Sequence, residues 1–189
     1  MKKGALIAVA AAFGLGGLIG ALAWLASGYA KDAALSKARP AWTETAWPFQ
    51  TDQWGMGKAF QCKAADCGAE VNVYIRAKIG FCNCATGVAD DAELERLSDF
   101  DLMGARIATL GDGRPIRVAW MNGRSRSYAM ANPVRSGKSA LSIAFNDRCD
   151  AIVATVVLDH DRPGATESRV IEFLNGKTVM RWAEVTLGL

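Results

Sequence analysis

The residue types best suited to chemistry are concentrated between Phe60 and Cys84. Four of the five cysteines lie there, Cys62 and Cys67 in CKAADC and Cys82 and Cys84 in CNC, while Cys149 stands far downstream. Three chemistries fit. As disulfides, Cys62 and Cys67 close a turn of a size compatible with bridge geometry, and Cys149 can meet Cys82 or Cys84. That leaves one thiol free, Cys82 or Cys84. As metal ligands, Cys62, Cys67, Cys82 and Cys84 offer four thiolates, but neither short spacing is the two-residue knuckle of a zinc ribbon. As a redox couple, CNC lacks the gap of a C-x-x-C motif. Structural disulfides are the leading reading, and they imply an oxidising compartment.

A second constellation is basic. Arg114, Arg117, Arg124, Arg126, Arg135 and Lys138 occur in a stretch with no acid. Asn122-Gly123 is a strong two-residue hairpin signal, so strands Arg114–Met121 and Arg124–Met130 are expected to pair across it. That register puts Arg117, Arg124, Arg126 and Tyr128 on one side of the sheet. Such a face suits a carboxylate or phosphate, from an acidic protein or a lipid headgroup. The alternative is an internal partner in the acidic run Asp90, Asp91, Glu93, Glu95, Asp99 and Asp101. The net charge of +3 is too mild to imply nucleic acid, and none is expected as a partner.

Other candidates are weaker. Asn132–Ser139 resembles a phosphate-binding loop but has Asn132 where the first glycine belongs, and a strand pattern follows where a helix is needed. His160, the only histidine, stands in a Pro/Gly loop between Asp159 and Asp161. No serine or threonine lies in a nucleophile elbow. No cofactor and no catalytic set is expected.

The elements that must position these residues begin with Gly4–Ala26, a run of 23 residues without a charge. At about 1.5 Å per residue it reaches about 35 Å, enough for a bilayer core of about 30 Å. An uncleaved anchor over residues 1–28 is the leading reading. Cleavage as a signal peptide is the rival, since Ala21-Leu22-Ala23 and Gly28-Tyr29-Ala30 carry suitably placed small residues. Gly4, Ala8, Ala12, Gly16 and Gly20 form a small-residue stripe on which another transmembrane helix can pack. Flanking lysines and arginines do not decide the orientation. The cysteines do, placing the domain outside the cytoplasm, on the periplasmic side of a bacterial inner membrane.

Residues 29–57 read as a juxtamembrane segment and an aromatic arm, with Trp42, Trp47, Phe49 and Trp54 folded over the core. The domain is expected over 58–189. Ala59–Cys62 and Glu70–Lys78 read as strands, the latter half-buried, with Val71, Val73 and Ile75 inward and Asn72, Tyr74 and Arg76 outward. Asp90–Glu93 reads as a helix start and Gly104 as a stop. Ala140–Asn146 and Ala151–Leu158 read as strands, the second buried on both faces. Asp159–Thr166 reads as a loop, Arg169–Phe173 as a short strand, and Thr178–Leu187 as a terminal helix with Val179, Trp182 and Val185 on one side.

The fold class that results is α+β: an antiparallel sheet with one or two packed helices, preceded by a single N-terminal transmembrane helix. The expected function is contact rather than catalysis, as an accessory part of a membrane complex with lipid and membrane proteins as partners. The alternative is thiol-redox or metal handling by Cys62, Cys67, Cys82 and Cys84.

Overall fold

The computed structural model describes residues 40–104, 106–132, 135–159 and 163–189. The expected anchor, its stripe of Gly4, Ala8, Ala12, Gly16 and Gly20, and His160 lie outside the described residues. Among the described residues no helix is long and apolar enough to cross a membrane. Pro40–Leu189 forms one compact unit.

Its strands are β1 (Trp42–Thr45), β2 (Lys58–Cys62), β3 (Val71–Lys78), β4 (Arg106–Thr109), β5 (Arg114–Val118), β6 (Met121–Asn132), β7 (Arg135–Asp147) and β8 (Asp150–Leu158). The helices are α1 (Ala64–Cys67), α2 (Asp91–Leu97), a 3-10 turn at Phe100–Met103, α3 (Pro163–Leu174) and α4 (Lys177–Leu187). The strands make a single sheet in the order β1-β2-β3-β8-β7-β6-β4, and β5 pairs with β6 beside β4. Every pairing is antiparallel.

The centre of the sheet is β3, β8 and β7. One face carries Val73, Ile75, Ile143, Ile152 and Val156 and packs on Val170 and Leu174 of α3 and Val179 and Ala183 of α4. Each such large side chain, fully buried, contributes about 1.5–3 kcal/mol. The opposite face is covered too. Leu94 and Leu97 of α2 lie on Ala144, Ala151 and Val153, and Phe100 of the 3-10 turn lies against Tyr128 and Ala140. The antiparallel sheet with helices is thus as expected, and β8 is buried on both faces.

α2 begins where the acids predict. The Asp90 side chain accepts the Glu93 backbone N–H at 2.8 Å, an N-cap bond that satisfies an otherwise orphaned donor.

Several local expectations differ from the structure. The hairpin exists, but its turn is Ala119-Trp120: Val118 pairs with Met121 and Arg117 with Asn122. Asn122-Gly123 runs inside β6 instead. A Cβ at Gly123 would stand 2.2 Å from the Ala144 carbonyl, so this glycine serves close strand packing rather than a turn. Met121 therefore belongs to β6 and is buried in the core.

The expected strand Arg169–Phe173 is part of helix α3. Pro163 opens that helix, where its missing N–H costs nothing, and Thr166, Glu167, Val170 and Leu174 then recur at helical spacing and are buried. In α4 the buried side is Val179, Met180 and Ala183, while Val185 is 76% exposed. The aromatic arm supplies an edge strand, β1, whose Trp42 stacks on Phe173 of α3 at 4.3 Å.

Candidate functional site

The cysteines separate into two places. Cys62 and Cys67 are bonded to each other across the α1 turn, with Cα atoms 6.0 Å apart. Cys84 is bonded to Cys149, joining the loop after β3 to the β7–β8 turn. Cys62 and Cys82 flank opposite ends of β3, about 23 Å apart at about 3.3 Å per residue. The four-thiolate set of Cys62, Cys67, Cys82 and Cys84 is therefore not assembled. Among the described residues no group of three or more metal-binding side chains is placed to hold an ion. Cys82 is the free cysteine, and it is buried. Its thiol donates to the Arg148 carbonyl at 3.2 Å. Burial pushes that thiol up, with Glu93 and Asp150 adding to the effect, so little thiolate is present for redox exchange.

The arginine face meets the acidic helix. Arg117, Arg124 and Arg126 do share a side of the sheet, but α2 lies over it. Arg124 pairs with Asp91, and Arg126 pairs with Glu95 at 2.7 Å and with Asp91 at 3.5 Å. The Gly113 amide, followed by Arg124 and Arg126, holds the Asp91 carboxyl below its ordinary range. A Cβ at position 113 would stand 2.2 Å from Asp91 Oδ1, so glycine is what lets the carboxylate in. Tyr128 is fully buried against Phe100 at 4.6 Å, and its hydroxyl is pushed up to about 12, chiefly by burial. Arg124, Arg126 and Tyr128 thus do not form an open anion face. Arg117 alone of the set is exposed without an ion pair among the described residues.

The strongest charge cluster went unread in the sequence. Arg76 and Lys78, on the β3 face expected to be solvated, are only 3% and 4% exposed. Asp99, between α2 and the 3-10 turn, accepts from Arg76 Nε at 3.0 Å and Nη2 at 2.5 Å, and from Lys78 Nζ at 2.9 Å. Asp52 of the arm grips the remaining guanidinium nitrogen with both oxygens at 2.6 Å. Lys78 Nζ also lies 5.4 Å from the Trp54 ring centre and 5.9 Å from that of Phe81, within cation–π range.

Arg76 keeps its proton more firmly than usual: burial opposes its charge, but the bonds it donates to Asp99 and Asp52 outweigh it. The bond from Arg76 in turn holds the Asp52 carboxyl low. A cleft of about 250 Å3 opens here. Within it Arg76, Lys78, Asp52 and Asp99 satisfy one another and clamp the arm and α2 onto the sheet. Nothing local in the sequence signals it, because Asp52, Arg76 and Asp99 meet only when the second sheet face is covered.

A different surface carries an apolar groove. Phe60 of β2 and Val179, Trp182 and Val185 of α4 line this groove of about 470 Å3 together with Glu44, Lys58, Thr178 and Arg181. Lys58 and Glu44 pair across one rim at 2.5 Å. The groove runs beside β1, the terminal strand of the described sheet. Such an outer strand presents backbone donors and acceptors that an extended segment can use.

No protein-family model matches the chain, and no curated protein does. Among solved structures, it is similar to the solution structure of cyanobacterial PsbP (CyanoP) from Synechocystis sp., with a TM-score of 0.45 and 10% sequence identity over 69% of this chain and 76% of that one. A likeness at that TM-score carries no weight for function.

Proposed function

We propose that this is a membrane-anchored protein whose disulfide-bonded domain lies outside the cytoplasm. It acts by contact, as a non-catalytic binding or assembly module beside a membrane protein complex. Two disulfides, Cys62–Cys67 and Cys84–Cys149, support the oxidising compartment. The observation that carries the contact role is the groove beside β1. Val185, 76% exposed, lines it, and an apolar groove at the outer strand of the described sheet suits a polypeptide partner.

The test is photo-crosslinking of the full-length chain in intact membranes. A benzophenone amino acid replaces Val185, and a second variant carries it at Asp66, exposed on α1. A discrete protein adduct from position 185 and none from position 66 is the expected result. No adduct at position 185, or the same adduct from both, would rule out the groove as the contact surface.

A further inference from the structure

Two hairpin turns protrude from the same end of the sheet. Ala119-Trp120 joins β5 to β6, and Arg148-Cys149 joins β7 to β8. These strands are neighbours, so the two tips stand about 10 Å apart at about 4.8 Å per strand. Among the described residues, Ala119 (φ 52°) and Arg148 (φ 51°) are the non-glycine residues in the left-handed region. That conformation costs of order 1 kcal/mol or more for a side chain with a Cβ, and it persists only where the surroundings hold it.

Here the surroundings do hold it. The Ala119 N–H donates to Asn175 Oδ1 at 2.7 Å, and Asn175 is fixed in turn by the Ile171 carbonyl at 2.8 Å. The Arg148 carbonyl accepts from Asn146 Nδ2 at 2.9 Å and from the Cys82 thiol, while the Cys149 carbonyl accepts the Cys82 N–H at 3.0 Å. The Cys84–Cys149 bridge ties the second tip to the loop after β3. That loop starts at Ile79-Gly80, where the Gly80 N–H donates to Asp150 Oδ1 at 2.6 Å.

What these fixed tips present is mixed in character. Trp120 is 46% exposed and Ile79 53%. Around them Arg117, Arg148 and Lys177 are exposed and make no ion pair among the described residues. Of the acids near the tips, Asp147 and Asp150 are half-buried and Asp150 is committed to Gly80, while Glu172, one turn before Asn175, is exposed but not without a partner.

We infer that this end of the sheet is a contact site for an anionic lipid surface. Trp120 and Ile79 enter the headgroup region, and Arg117, Arg148 and Lys177 meet the lipid phosphates. Trp120 and Ile79 stand about 17 Å apart along the same end of the sheet, at about 4.8 Å per strand. An amphipathic tryptophan and an exposed aliphatic on one end, with exposed cations, is a combination that partitions to a charged bilayer interface. Braced tips lose little conformational freedom on docking, which favours binding. The inference rests on the reading that the domain works beside a membrane.

The test uses the full-length chain with vesicles of phosphatidylcholine alone or mixed with phosphatidylglycerol, each carrying brominated acyl chains. Trp120→Phe provides the difference signal that isolates Trp120 from the other tryptophans. The Trp120 component is expected to be quenched at least twofold in the anionic vesicles. That quenching should be lost in phosphatidylcholine alone and in the triple variant Arg117→Glu, Arg148→Glu, Lys177→Glu. An unquenched Trp120, as an acidic protein partner would leave it, overturns the inference; so does quenching that the triple variant retains. Carbonate washing of the same vesicles reports on the anchor separately. A chain that washes off but whose Trp120 is quenched on re-addition refutes the anchor and keeps the lipid site. A retained chain with Trp120 unquenched does the reverse.

Discussion

Asp99→Ala removes the carboxylate shared by two buried cations. Asp99 accepts three charge-assisted bonds, two from Arg76 and one from Lys78. Arg76 retains Asp52 after the change, but Lys78 loses its bonded carboxylate and keeps only its aromatic contacts at 5.4 and 5.9 Å and the more distant charge of Asp52. Breaking a buried ion pair from one side costs about 3–5 kcal/mol, because the charge left behind is desolvated and unpaired. For a domain of this size that is a fall in Tm of about 8–15 °C. The assay is urea and thermal unfolding of the full chain in detergent. Glu44→Ala serves as the comparison: it breaks the exposed pair with Lys58 and is expected to cost below about 1 kcal/mol. Adding Lys78→Met to Asp99→Ala should recover part of the loss, since methionine packs against Trp54 and Phe81 without a charge. If Asp99→Ala costs no more than Glu44→Ala, the cluster does not clamp the arm and α2.

The disulfides differ in leverage: Cys84 and Cys149 are 65 residues apart in sequence, and Cys62 and Cys67 are 5. Replacing the long-range pair by serine is expected to cost about 4 kcal/mol and the short-range pair about 2, read from urea midpoints. Mass spectrometry without reduction should also find one free thiol, Cys82, that alkylates only after unfolding. In acid the domain should weaken. Asp52, Asp91 and Glu93 are all held below their ordinary values, by Arg76, by the Gly113 amide and by Arg96 respectively. Their contribution is complete above the unfolded pKa, near 4, and is lost as pH falls through the folded values. The urea midpoint should therefore be flat from about pH 5 to 7 and fall below about pH 4, less steeply in Asp91→Asn.

Features that depend on neighbours along the chain were legible from residue order alone. Alternation marked β3 and the Ala140–Asn146 part of β7, an unbroken apolar run marked β8, and the Asp90–Glu93 cap marked the start of α2, because these signals act within a few residues. Cysteine content implied disulfides, and the five-residue interval made Cys62–Cys67 legible. Tertiary structure decided whatever joins distant segments. Alternation in Glu70–Lys78 reads as one wet face, but α2 and the arm cover that face, so Arg76 and Lys78 are buried and need Asp99 and Asp52. Asn122-Gly123 prefers a turn locally. The turn instead forms at Ala119-Trp120, where Asn175 caps a strained alanine and Gly123 is free to pack beneath Ala144. Pro163-Gly164 looks like a loop until the core claims Val170 and Leu174, and then the same residues open a helix. In each case a local preference of about 1 kcal/mol yields to burial and pairing worth several, and those contacts exist only once the chain has closed on itself.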